Sequence, residues 1–399
     1  MDFFEFLNQA VTPYHTVEFL KKALSVEGIT LMERGGALIA VRKPKKACAQ
    51  SRFRIALAHT DFPALKIAPN PDKGCAGVKT LHSEIYGSPL FTSWLDRDLG
   101  YAGLLAFEKE GKVATKLVRG TKLFRIPQLA IHLNRGVNQD GLKVNPQTDL
   151  DVLWSGSGYS KKFVETLQAE LGSGERLLDF DVQLFDAQAA NVGGMDDEWI
   201  YSGRLDNLSS CHAIAEAMLS AEALENDFVV AAFFNNEEVG SNTREGAAGN
   251  FLESTLEVLW NEAKIEAPFS QALAESLALS IDMAHAEHPN FPQKHEVNHA
   301  PILGGGVVLK TNSQKRYASD VMSSAQFKLL CEKAGVKSQT FITRNDMPCG
   351  STVGPTISAN LGIPTVDIGE PMLSMHSIRE MIAVDDHKDM IQLVSTFYK

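Results

Sequence analysis

The chain is poor in cysteine and has none of it in pairs: Cys48, Cys75, Cys211, Cys331 and Cys349 are odd in number and scattered, with no C-x-x-C. That pattern suits reduced thiols in a cytosol rather than a disulfide framework. There is also no concentrated Lys/Arg block. The 49 acidic residues outnumber the 38 basic ones, giving a formal charge of −11, which argues against nucleic acid or an anionic membrane as partner. No apolar run reaches membrane-spanning length, and Met1-Asp-Phe-Phe-Glu lacks the basic end and small-residue cleavage pattern of a signal peptide. A cytoplasmic protein is therefore expected. Internal repeats, low-complexity tracts and a disordered tail are absent as well. What remains is 399 residues, 44% hydrophobic and 22% charged: a soluble globular protein long enough for two domains, or for one large domain with an insertion.

The opening segment places Phe4, Leu7, Phe19, Leu20 and Leu24 at helical spacing, broken by Thr12-Pro13, and predicts two short helices. Phe53–Ala58 reads as a strand that delivers His59-Thr60-Asp61 at its end. From about Gly74 to Tyr201, short apolar pieces separated by glycines predict a β-rich insertion, with a helix over Lys161–Leu171 and a strand over Leu178–Phe185. Beyond Gly203 the pattern alternates. Helices are expected at Leu208–Leu224, Val321–Ala334, Thr352–Leu361 and His387–Tyr398, with strands at Phe228–Phe234, Ser276–Ile281 and Pro364–Ile368. Such alternation predicts an α/β fold with a mixed, largely parallel sheet covered by helices, whose ligands gather at the carboxyl ends of the strands.

The ionisable residues at those ends are the candidates. His59 follows one strand, Glu237 and Glu238 follow the wholly apolar Phe228–Phe234, Asp282 follows a third, and His376 lies in the loop after a fourth. Asp206 precedes a helix, where a carboxylate can either cap the helix or serve a metal. An isolated Glu-Glu pair also suits a solvated strand end, and each of the others has a structural reading of its own. Taken together, two imidazoles and three carboxylates form a mixed N/O set that suits Zn²⁺, with Mn²⁺ or Co²⁺ as substitutes, and five ligands with one shared carboxylate suffice for two ions. Neighbouring side chains on an extended backbone point to opposite sides, so Glu237 and Glu238 cannot do the same job unless the chain turns there.

Ordered blocks then make the chain recognisable: His59-Thr-Asp61, Trp94-Leu-Asp-Arg-Asp-Leu99, Leu129-Ala-Ile-His-Leu133, Gly203-Arg-Leu-Asp-Asn-Leu208, Asn236-Glu-Glu-Val-Gly-Ser241 and Asp282-Met-Ala-His-Ala286. Lys310-Thr-Asn-Ser313, Arg316-Tyr-Ala-Ser319, Arg344-Asn-Asp-Met-Pro-Cys-Gly350 and Met375-His-Ser-Ile-Arg-Glu380 follow. In these blocks the chain resembles the aspartyl aminopeptidase family of metallopeptidases. The resemblance implies a zinc-exopeptidase-like catalytic domain made of residues 1–75 and 200–399, with an inserted dimerisation and lid domain at 76–199. It implies two Zn²⁺ per subunit held by His59, Asp206, Glu238, Asp282 and His376, with Asp206 as the bridge. Glu237 becomes the general base, and Asp61 orients His59 from behind.

By the same resemblance the substrates are peptides with an acidic N-terminal residue. Lys310 is the first candidate to meet that carboxylate and Arg344 the second, while His132 reaches a neighbouring subunit's active site. The implied assembly is a homo-oligomer, a dodecamer built from dimers. His285 and His288 serve either as extra ligands or to shape their loop. The sequence leaves two rivals: a related co-catalytic aminopeptidase with different N-terminal selectivity, and a non-catalytic peptide-binding or metal-buffering assembly protein.

Overall fold

The structure, a computed structural model, describes residues 1–399 apart from the side chain of Cys75, so the reading of that thiol lies outside the described residues. Cys48, Cys211, Cys331 and Cys349 are free thiols. Among the described residues, no helix is long and apolar enough to cross a membrane. The chain forms two compact units: Met1–Phe62, Ala190–Met375 and Glu380–Lys399 make up the first, and Pro63–Ala189 with His376–Arg379 the second.

The first unit is built on an eight-stranded sheet, ordered Thr30–Arg34, Ala37–Arg42, Phe228–Phe234, Phe53–His59, Leu277–Ile281, Thr365–Gly369, Val307–Lys310 and Ser338–Phe341. Its centre is parallel: Phe53–His59 pairs with Phe228–Phe234 on one side and Leu277–Ile281 on the other, and Leu277–Ile281 pairs with Thr365–Gly369. Antiparallel pairings flank this centre, at Ala37–Arg42 and at Val307–Lys310. The apolar run Phe228–Phe234 is wholly buried because both faces are covered. Val229, Ala231 and Phe233 enter one core with Leu208, Ile214 and Leu393, whereas Phe228, Val230, Ala232 and Phe234 enter the other with Phe251, Leu256 and Trp260. A smaller five-stranded sheet, from Asn191–Gly193 to Ala284–His285, completes this unit; the sequence pattern gave no sign of it.

The registers decide where the site falls. Phe234 lies beside His59, and Ser280 beside Leu57, so three strands end within a residue or two of one another. The expected helix from Leu208 is present but ends at Ser220, ahead of the expected Leu224; it is entered from Leu205 through Asp206 and Asn207 in non-helical backbone. Gly369 allows a close approach next to this edge, since a Cβ there would lie 1.9 Å from the Asp282 carbonyl oxygen.

The second unit is a six-stranded sheet, ordered Lys112–Arg119, Leu99–Lys109, Arg176–Asp186, Ala64–Cys75, Val78–Tyr86 and Val152–Gly156, with antiparallel pairings throughout. Phe163 and Leu167 of the short helix Phe163–Gln168 are buried in its core with Tyr101, Phe124 and Val182. Ala64–Cys75 belongs to this sheet, so the chain passes into the second unit at Pro63, ahead of residue 75.

Candidate metal centre and active site

His59 ends its strand fully enclosed, with 2% of its side chain exposed, and four carboxylates face it. From Nε2, Asp206 Oδ1 lies at 3.5 Å, Asp282 Oδ1 at 3.8 Å and Glu237 Oε2 at 4.0 Å. On the other ring nitrogen, Nδ1 is 2.9 Å from the main-chain carbonyl of Asp61 and 3.4 Å from its carboxylate. The carbonyl is thus the closer orienting group, where the sequence had pointed to the carboxylate.

The Asp61 carboxylate has a second task. Its two oxygens accept the backbone N–H groups of Glu237 and Glu238, each at 3.1 Å. These hydrogen bonds hold a single 3₁₀ turn, Glu237–Val239, entered through Asn236 at φ 62° and left through Gly240 at φ 98°. The turn breaks the extended backbone just after Phe234, so the opposite-sides alternation of a strand does not apply, and both glutamates reach the His59 site: Glu237 Oε2 lies 4.0 Å from His59 Nε2, and an oxygen of Glu238 lies within 4.8 Å of His59 and Asp206 ligand atoms. Beside it, the Asn235 amide donates to Glu245 Oε2 at 2.9 Å, a contact that a carboxylate at position 235 would make repulsive.

His59, Asp206 and Glu238 each offer one ligand atom, and these atoms lie within 4.8 Å of one another. Tetrahedral zinc with bonds of about 2.0–2.1 Å needs ligand atoms about 3.4 Å apart, which rotamer adjustments of these side chains can reach. The charge balance agrees. Burial alone would depress the His59 imidazole, yet Asp206, Asp282 and Asp61 hold it well above its ordinary value. Burial pushes the Glu237 carboxyl up to about 8; His59 opposes the rise, and Asp282, Asp61 and Asp206 add to it. So many acids around one imidazole call for positive charge, and a divalent cation supplies it with every donor deprotonated. The donor set fits zinc.

Lys310, at the end of its strand, is buried at 2% exposure. Its ammonium donates to the Met283 carbonyl at 3.0 Å, stands 3.8 Å from Asp282 Oδ2, and lies 5.2 Å from the centre of the Tyr317 ring. Tyr317 also lines a cleft of about 260 Å³ together with His285, His288, Arg344, Met347 and Ser374. Arg344 is engaged there: Asp346 takes its guanidinium at 2.8 and 2.6 Å, and the Gln293 carbonyl accepts at 2.8 Å. His376 belongs to the second unit, where its Nδ1 lies 3.1 Å from the Ser88 carbonyl oxygen and its backbone has φ 64°. His132 stands in the same unit on an exposed turn, Ile131–Leu133.

Sequence reasoning gave no role to Tyr317 or Asn207. The Asn207 amide donates to the Ile281 carbonyl at 2.8 Å, tying the Asp206 segment to the strand that ends in Asp282. Its place directly after Asp206 was the available signal.

Comparison with known proteins identifies the family. Residues 6–398 match the family model described as Aminopeptidase I zinc metalloprotease (M18). A probable M18 family aminopeptidase 2 from Pseudomonas aeruginosa is 39% identical over 419 residues, covering 99% of this chain and 96% of the relative. Among solved structures, the cryo-EM structure of the Ape4 and Nbr1 complex superposes with a TM-score of 0.93 at 32% identity, over 100% of this chain and 84% of that one. The S. cerevisiae mApe1 dodecamer superposes at 0.84 with 27% identity, over 99% of this chain and 95% of that one. The chain belongs to the M18 family of zinc aminopeptidases, the family of the aspartyl aminopeptidases.

Proposed function

We propose that the chain removes Asp or Glu from the N-terminus of peptides, at a centre of two zinc ions held by His59, Asp206, Glu238, Asp282 and His376, with Asp206 shared. The position of Glu237 carries this reading. Its carboxyl is half-buried, 4.0 Å from His59 Nε2, and adjoins the residue whose oxygen gathers with His59 and Asp206. A peptide-binding or metal-buffering protein has no use for a base there. When bound, the metal polarises the scissile carbonyl and makes a water nucleophilic near neutral pH. Glu237 accepts the proton of the attacking water and returns it to the leaving amine, so water and amide become acid and amine with no net proton change.

Selection of the first residue is assigned to Lys310. It is a buried cation whose nearest carboxylate stands at 3.8 Å, beyond hydrogen-bond distance, so a substrate carboxylate can take up its remaining N–H groups. Arg344 would have to leave Asp346, which makes it the weaker candidate. We further propose a cytoplasmic homo-oligomer, a dodecamer built from dimers; the structurally similar S. cerevisiae mApe1 is itself a dodecamer. In the assembly proposed for this chain, the exposed Leu129, Ile131 and Leu133 meet another copy and His132 completes that copy's site.

Glu237→Gln, assayed on a panel of N-terminal residues beside the unsubstituted enzyme, tests the reading. The expected result is a loss of turnover of at least about a thousandfold with zinc content retained. Full hydrolysis by the variant would overturn the mechanism. Preference of the unsubstituted enzyme for Leu or Lys over Asp and Glu would overturn the selectivity.

A further inference from the structure

We propose that Asp367 is a positioning residue for substrate selection: its buried carboxylate fixes the Tyr317–Ala318 segment and thereby the pose of Lys310. The inference rests on the assignment of Lys310 to the acidic side chain of the substrate. Asp367 is 0% exposed, in the middle of the strand Thr365–Gly369, between the strand that leads to Asp282 and the strand that ends in Lys310. Ser280 pairs with Asp367 in parallel register, and Leu309 with Ile368 in antiparallel register, so Lys310 falls opposite Asp367 on the same face of the sheet.

A carboxylate enclosed at this depth is costly unless its oxygens are satisfied, and here each oxygen takes a short hydrogen bond. One accepts the Ala318 N–H at 2.6 Å, and the other accepts the Thr352 hydroxyl at 2.6 Å. The Asp367 backbone N–H donates to Ser319 Oγ at 2.9 Å, so two consecutive loop residues are tied to this one strand position. Tyr317, directly before them, presents its ring to the Lys310 ammonium.

A separate feature shows that the surroundings are shaped around the carboxylate. A Cβ at Gly354 would lie 2.5 Å from both Asp367 oxygens, so the helix Val353–Leu361 reaches this depth only because its second residue has no side chain. The helix N-terminus then faces a negative group, the favourable polarity. Neither the hydrolytic base nor the zinc ligands need this arrangement, whereas the loop carrying Tyr317 does.

The test measures kcat and KM for Asp-terminal and Leu-terminal peptides with the unsubstituted enzyme, Asp367→Ala, Asp367→Asn and Gly354→Ala, with zinc content and thermal melting recorded for each. Asp367→Ala should raise KM for the Asp-terminal peptide about tenfold, keep kcat within about threefold, and leave KM for the Leu-terminal peptide unchanged. Asp367→Asn should restore most of the loss, because its oxygen still accepts from Ala318 and its amide donates to Thr352. Gly354→Ala should reproduce the Ala phenotype with every charge intact. An unchanged Asp/Leu ratio in folded Asp367→Ala, or equal rises in both KM values, would overturn the inference. Where Asp367→Ala fails to fold, Gly354→Ala and Thr352→Val decide by the same ratio. If the unsubstituted enzyme shows no preference for Asp over Leu, it is the Lys310 assignment that fails, an outcome distinct from preference retained in the variants.

Discussion

Replacing Asp61 by Asn should cost stability and metal affinity together, and it should act through Glu238 more than through His59. The two side chains have nearly the same shape, but only the carboxylate presents two acceptors to the N–H groups of Glu237 and Glu238, each at 3.1 Å. In the variant an amide NH₂ faces one of those N–H groups. An unsatisfied buried donor costs about 1–3 kcal/mol, and loss of charge assistance on the other bond adds about 0.5–1.5 kcal/mol. A total of about 1.5–4.5 kcal/mol lowers the melting temperature of a unit this large by roughly 3–18 °C. His59 keeps its 2.9 Å contact with the Asp61 main-chain carbonyl, so its orientation survives. Zinc affinity, measured by competition with a chromophoric chelator, should fall about 10–100-fold. If the turn is the route, the Asp61→Asn/Glu238→Ala double variant binds zinc no more weakly than Glu238→Ala alone. Full additivity of the two losses, or a melting shift under about 2 °C with unchanged affinity, would refute the reasoning.

Two further outcomes are expected. Glu238→Ala should lower zinc affinity at least about tenfold by the same competition assay, while Glu237→Ala leaves it within about threefold and removes turnover, because one side chain is assigned as ligand and the other as base. His212 is buried, with burial first and the facing His387 second depressing its imidazole to about 3. The unfolded chain then binds the extra proton, so the stability contributed by neutral His212 is fully present above about pH 6.5 and is lost as pH falls from there toward 3. At pH 5.5 the loss is about 1.4 kcal/mol, and denaturant melts at pH 5.5 and 7.5 should show it in the unsubstituted protein and not in His212→Gln.

The strands that end at the candidate site were legible because their chemistry is local. Phe228–Phe234 is apolar at every position since both of its faces are covered, and a chain leaving such a strand at Asn235-Asn236-Glu237-Glu238 announces a site where the core ends. What the sequence hid depends on partners far along the chain. Asn236 adopts a left-handed conformation without being glycine, and the turn it opens is held by Asp61, 176 and 177 positions from the two N–H groups it accepts. Residues 64–75 fell inside the catalytic domain expected from the sequence, yet Ala64–Cys75 pairs with the next strand, Val78–Tyr86, and across to Gln183 in the second unit, and a distant partner such as Gln183 leaves no mark in local composition.

Lys310 shows the same limit more sharply. A lysine at a strand end normally reaches water, so its type alone predicts exposure. It is enclosed here because the consecutive Asp282 carboxylate and Met283 carbonyl arrive from one segment and the Tyr317 ring from another, with Asp367 beside it in the sheet. A cation held by that many neighbours is already desolvated before any ligand arrives, so an incoming carboxylate does not have to strip its water. Much of the selectivity proposed for the enzyme would then reside in residues that never touch the substrate. Substitutions at Asp367 or Gly354 should therefore change what is cleaved, while the proposed zinc ligands and the proposed base Glu237 determine whether cleavage occurs.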